Sequence, residues 1–103
     1  MDDFGRFSDP ALLILISLAD APKHGYAMTE DIAAIADVRL GPGTLYGAIA
    51  RLESRGLIQP IASDDRRNPY RITAVGERAL RVRLEAMEAV ARAGRQRLLA
   101  SEA

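Results

Sequence analysis

The stretch Gly41-Pro42-Gly43-Thr44-Leu45-Tyr46-Gly47-Ala48-Ile49-Ala50-Arg51-Leu52-Glu53-Ser54-Arg55-Gly56-Leu57-Ile58, followed after a short gap by Arg66-Arg67-Asn68-Pro69-Tyr70-Arg71-Ile72-Thr73, decides the fold. Gly41 and Pro42 break the preceding chain and open a helix. Leu45, Ile49 and Leu52 recur at helical spacing, and Gly56 supplies a stop. Two short β-like runs follow, Leu57 to Ala62 and Tyr70 to Thr73, on either side of the charged turn 63–68. Pro60 suits an edge strand, since it has no amide to donate. A helix joined to a hairpin with arginines at its tip is the layout of a winged helix-turn-helix. That layout sets the helix in a DNA major groove and the tip against phosphates.

Upstream, Asp9-Pro10 forms a helix start, because the Asp side chain caps open amides and Pro tolerates the first helical position. The almost wholly apolar run Ala11 to Ala19 predicts a helix buried on most sides, ended by Asp20-Ala21-Pro22. Lys23-His24-Gly25 reads as a turn. Tyr26 to about Ala36 reads as a second helix, with Met28, Ile32 and Ile35 on one face. Downstream of Thr73, read as its cap, a last helix extends to about Leu99. Along it Leu80, Leu84, Met87, Ala91, Gly94 and Leu98 recur at spacings of 4, 3, 4, 3 and 4, a heptad-like seam. The predicted class is mainly α with a small β-hairpin: a winged helix-turn-helix over 9–73 and a C-terminal dimerisation helix over 74–100.

Net charge is zero, yet its distribution is uneven. Residues 1–38 carry two basic against seven acidic side chains, residues 39–71 six against three, and residues 72–103 six against four. Positive charge therefore gathers on the helix and hairpin expected to meet DNA, and local field steers binding more than global charge does. The chain has no cysteine and one histidine, which excludes a disulfide framework and a thiolate or multi-histidine metal site. Its longest apolar run is too short for a membrane span, and no secretory leader is read at the N-terminus. A soluble, cytoplasmic protein without cofactor or metal is expected. No acid and base pair, nucleophile constellation or phosphate-binding glycine loop is present, so an enzyme is not expected.

These residues resemble the PadR family of transcriptional regulators. The likeness spans about residues 10–98 and rests on His24-Gly25-Tyr26 after an apolar helix, on Gly41 to Tyr46 with Arg51-Leu52-Glu53 and Gly56-Leu57-Ile58, and on Arg66-Arg67 with Tyr70 to Thr73 and Gly76. The resemblance implies an N-terminal winged helix, homodimerisation through the last helix and repression at a palindromic operator, relieved by a ligand or stress signal. Two positions depart from the family pattern: Gly41, where Ser is frequent, and Gly47, where Pro or Arg is frequent. With so short a C-terminal part, a large inducer-binding domain is not expected.

On the third helix Leu45, Ile49 and Leu52 mark the inner face, leaving Thr44, Gly47, Ala50, Arg51 and Ser54 on the flanks and far side. Thr44 and Arg51 are candidate groove contacts, with Arg51 the preferred base reader, because arginine forms bidentate bonds with guanine. Gly47 would admit close backbone approach. Tyr26 and Tyr46 are candidates for phosphate contact through their hydroxyls, with core packing as the alternative role for each. Arg66, Arg67 and Asn68 are the expected wing contacts. Leu12, Leu80, Leu84, Met87, Ala91 and Leu98 are the expected dimerisation residues. The partners expected are double-stranded DNA, a second copy of the chain and a small-molecule effector, which a gap beside Met87, Ala91 and Gly94 would accommodate. His24 is expected to cap or hydrogen-bond at the start of the second helix. The competing reading is a winged-helix module that uses its arginine hairpin on an acidic protein.

Overall fold

The computed structural model describes residues 9–63 and 68–102. Four helices and one hairpin follow in the order α1 (Pro10–Leu18), α2 (Gly25–Ala36), α3 (Pro42–Ser54), β1 (Ile58–Pro60), β2 (Tyr70–Ile72) and α4 (Ala74–Glu102). The fold is mainly helical, with a two-stranded antiparallel hairpin and a long C-terminal helix, the winged-helix arrangement.

Each helix begins and ends where local chemistry directs it. Asp9 is extended and accepts the Leu12 amide at 3.2 Å, and Pro10 follows at the first helical position. Helix α2 ends at Asp37, which takes the left-handed conformation (φ 55°) that Asp tolerates better than most side chains. Helix α3 ends in a Schellman turn: Gly56 at φ 76°, its amide bonded to the Glu53 carbonyl and the Leu57 amide to the Leu52 carbonyl.

Helix α1 is the centre of the core. Leu12, Leu13, Ile14, Leu15 and Leu18 meet Met28 and Ile32 of α2, and Leu45, Ala48, Ile49 and Leu52 of α3, with Ile58, Ile72 and Leu80 completing the cluster. Ile35, expected on the inner face of α2, is half exposed, and Ala36 packs against the core in its place. Ser17 is buried on α1 and donates to Asp31 Oδ2 at 2.7 Å. The Lys23 ammonium donates to the Ser17 carbonyl and to Asp20 Oδ1 (2.6 Å), with Asp31 Oδ2 at 4.0 Å. A cation thus caps the C-terminal end of α1 and ties it to α2.

Lys23, read as part of a turn, also exchanges both backbone hydrogen bonds with Tyr70, at 3.0 and 3.1 Å. This bridge covers the outer edge of β2 and anchors the hairpin, whose register pairs Ile58 with Ile72 and Pro60 with Tyr70.

Thr73 joins the hairpin to α4. Its hydroxyl lies 2.7 Å from the Gly56 carbonyl and 3.1 Å from that of Leu57, and accepts the Gly76 amide at 3.0 Å. One side chain therefore caps α4 and clasps the end of α3. Thr73→Ala is expected to lower unfolding free energy by about 1 to 2 kcal/mol, measured by urea denaturation.

The first turns of α4 pack on α1. Leu80 is buried, Leu84 and Met87 are partly buried against the core, and Arg83 Nη2 donates to Asp9 Oδ2 at 3.0 Å. Beyond Met87 every described residue of α4 is exposed. The 29 residues of α4 span roughly 44 Å at 1.5 Å per residue, which is most of the 61 Å longest dimension of the molecule.

Candidate nucleic-acid interface

Helix α3 lies with Leu45, Ala48, Ile49 and Leu52 in the core, so the opposite stripe faces solvent. Thr44, Gly47, Arg51 and Ser54 occupy that stripe at spacings of three and four residues. Arg51 reaches back along it, its Nη1 lying 3.6 Å from where a Cβ on Gly47 would sit. The absent side chain at 47 leaves the guanidinium free to lie along the helix. Gly41 is extended, Pro42 follows at the first helical position, and Gly41 has no side chain with which to cap the opening amides of α3.

The two tyrosines differ. Tyr26 is 69% exposed on the first turn of α2. Tyr46 is 50% exposed, but its hydroxyl end is pressed against Gly25: a Cβ there would stand 2.2 Å from the hydroxyl oxygen. Tyr46 thus packs its hydroxyl end across the start of α2 and shows the rest of its ring to solvent. A side chain at position 25 would push the Tyr46 ring aside. Behind it, burial is the main cause that raises the Tyr70 hydroxyl above its usual pKa, with smaller effects from the Glu53 carboxylate and the Tyr46 hydroxyl.

His24 occupies the N-cap position of α2 without a side-chain capping bond, and its buried Nδ1 has no partner among the described residues. The capping role expected of its side chain is therefore not seen. At the wing, Asn68 is exposed and its Oδ1 accepts from the Ser63 hydroxyl at 3.4 Å. Arg66 and Arg67 lie outside the described residues.

A cation that the sequence reading did not single out also borders this face. Arg39, just ahead of α3, donates from Nη1 to Glu30 Oε2 of α2 at 3.0 Å. That bond holds the Glu30 carboxyl below its usual pKa and the Arg39 guanidinium above its own. Arg39, Tyr26, Thr29 and Tyr46 line a cleft between α2 and the start of α3.

Of the residues expected to pair two copies, Leu12 lies on α1 and the others on α4. Leu12 and Leu80 are 4% and 6% exposed inside the core of the chain itself. The heptad seam enters the domain at Leu80 and leaves it at Met87. Ala91 and Leu98 remain open, as do Val82, Val90 and Leu99, which the seam spacing passes over. Two shallow hollows flank Met87 and Ala91. Among the described residues, no helix is long and apolar enough to cross a membrane.

Three helices with a hairpin against them, and a polar helix stripe beside that hairpin, define a winged helix-turn-helix, a DNA-binding class. The family profile described as the transcriptional regulator PadR-like family matches residues 14–82. The chain is 37% identical over 84 residues to a transcriptional regulator of Mycobacterium tuberculosis, covering 79% of this chain and 78% of that one. It is also 44% identical over 75 residues to an uncharacterised 37.1 kDa transposon protein of Streptomyces fradiae. That match covers 73% of this chain, but the chain spans only 22% of that longer protein. Among solved structures, a PadR family regulator from Clostridium difficile superposes with a TM-score of 0.78 at 24% identity, over 86% of this chain and 97% of that one. A transcriptional regulator from Clostridium thermocellum gives 0.74 at 30% identity, over 82% and 84%. The chain belongs to the PadR-like family of transcriptional regulators, whose members act by binding DNA rather than as enzymes.

Proposed function

We propose that two copies of this chain pair through the exposed part of α4 and act in the cytoplasm as a repressor of a palindromic operator. The observation that carries this reading is the open stripe of Thr44, Gly47 and Arg51 on a helix whose other side is locked in the core. In the proposed complex Arg51 reads a base edge, Thr44 and the uncapped start of α3 meet backbone phosphate, and Tyr26 flanks them. The wing residues Arg66, Arg67 and Asn68 hold the neighbouring phosphates. Leu84, Met87, Ala91 and Leu98 form the pairing seam, with the winged unit over 9–73 and the pairing helix over 74–100. A small apolar effector that enters the hollows beside Met87 and Ala91 would alter the spacing of the two α3 helices and relieve repression.

The test uses a labelled palindrome from the intergenic DNA beside the gene, with fluorescence anisotropy at several salt concentrations. Arg66, Arg67 and one further cation from each subunit on phosphate give a slope of log affinity against log salt of roughly −5. Arg51→Ala is expected to lose about 1 to 3 kcal/mol of discrimination between operator and scrambled duplex, whereas Arg66→Ala weakens both alike. Equal binding of operator and scrambled duplex by the unaltered protein contradicts the base-reading role. Absence of DNA binding at low salt, with a stable complex to an acidic protein, supports the protein-interaction module instead.

A further inference from the structure

Among the described cations of residues 39–71, Arg51, Arg55 and Arg71 have no carboxylate partner among the described residues, whereas Arg39 is held by Glu30. The pair is open to solvent, the Arg39 and Glu30 side chains being 62% and 45% exposed. An ion pair in that setting contributes little to folding, because water screens both partners. Its position matters more. Arg39 lies two residues before the N-cap Gly41 of α3 and lines the cleft that Tyr26 and Tyr46 also border.

We infer that Glu30 occupies on Arg39 the place of a DNA phosphate, masking that cation in the free protein and attenuating DNA affinity. The inference rests on the reading of this face as the DNA interface. A carboxylate and a phosphate offer the guanidinium the same planar pair of acceptor oxygens, so one replaces the other without rebuilding the site. Exchange frees Glu30 and recruits Arg39 to the backbone. The net gain is small, because one anion is traded for another. Glu30 is thus a positioning residue that acts through Arg39 and sets how tightly, rather than where, the protein binds.

Phosphate contacts carry no sequence information, so a labelled random-sequence duplex at low salt is a sufficient probe. Anisotropy titrations compare the unaltered protein with Glu30→Gln, Arg39→Ala and the double variant, with circular dichroism to confirm the helices. Glu30→Gln is expected to tighten binding roughly three- to ten-fold and to steepen the salt slope by about one per subunit bound. Arg39→Ala is expected to weaken binding, and Glu30→Gln is expected to give no gain in its presence. Unchanged or weaker binding by Glu30→Gln overturns the inference, as does a gain that persists without Arg39, which would mark a general charge effect. If the unaltered protein binds no duplex at all, the DNA reading fails with it. Binding by the unaltered protein with no response to Glu30→Gln defeats this inference alone.

Discussion

Gly76→Ala is expected to destabilise the protein by about 3 kcal/mol or more, the upper end of what overpacking costs. A Cβ at this position would lie 2.1 Å from the Leu57 carbonyl oxygen and 2.8 Å from Ile72 Cγ1. Neither neighbour yields cheaply. The Leu57 carbonyl is fixed by the Thr73 amide at 3.0 Å and lies 3.1 Å from the Thr73 hydroxyl, while Ile72 belongs to the core. Room for a methyl group therefore requires α4 to move off the hairpin, which breaks the Thr73 cap at the same time. Domains of this size have about 5 to 15 kcal/mol of stability in total, so the loss is a large fraction of it. Gly43→Ala, on the open side of α3 with nothing within 4 Å of the added carbon, is the matched control. It is expected to gain a few tenths up to roughly 1 kcal/mol from restricting the unfolded chain. Urea denaturation midpoints of the two variants should shift in opposite directions.

The second large effect concerns pairing. The double variant Met87→Glu, Leu98→Glu is expected to run as a single chain of 11.2 kDa in light-scattering chromatography, and the unaltered protein is expected at about twice that mass. Charges at two seam positions must be buried unpaired or kept apart, and well-packed interface positions lose roughly 2 kcal/mol or more each. Operator binding is expected to fall at least 100-fold. Each α3 then binds its half-site alone, without the effective concentration, commonly millimolar, that a linked partner provides. Circular dichroism should show the winged unit intact, since Leu98 is exposed beyond it and Met87 is only partly buried at the margin of a core whose last fully buried residue is Leu80.

Local signals carried much of the fold. The cap at Asp9, the break at Gly41-Pro42, the stop at Gly56 and the cap at Thr73 are each decided within a few residues, and each stands where the sequence reading put it. What escaped depends on distant partners. The Lys23 bridge to Tyr70 joins residues far apart in the chain, and a three-residue segment between helices carries no period to reveal a strand. The heptad spacing through Leu80 is the same whether the facing helix is α1 or a second copy, so periodicity alone could not separate core from seam. Gly25 reads as a simple turn glycine until the Tyr46 hydroxyl is seen against it. Arg39 was counted only as charge, since nothing in its own neighbourhood in sequence points to Glu30, nine residues earlier.

The account stands on two α3 helices engaging one face of a duplex together. The most direct measurement is affinity for an operator in which five extra base pairs, about half a helical turn, separate the half-sites. Rotating one half-site to the far side of the duplex is expected to reduce affinity to that of a single half-site, with two chains per duplex on the native spacing. Undiminished affinity for the lengthened operator, or one chain bound per native site, contradicts the account.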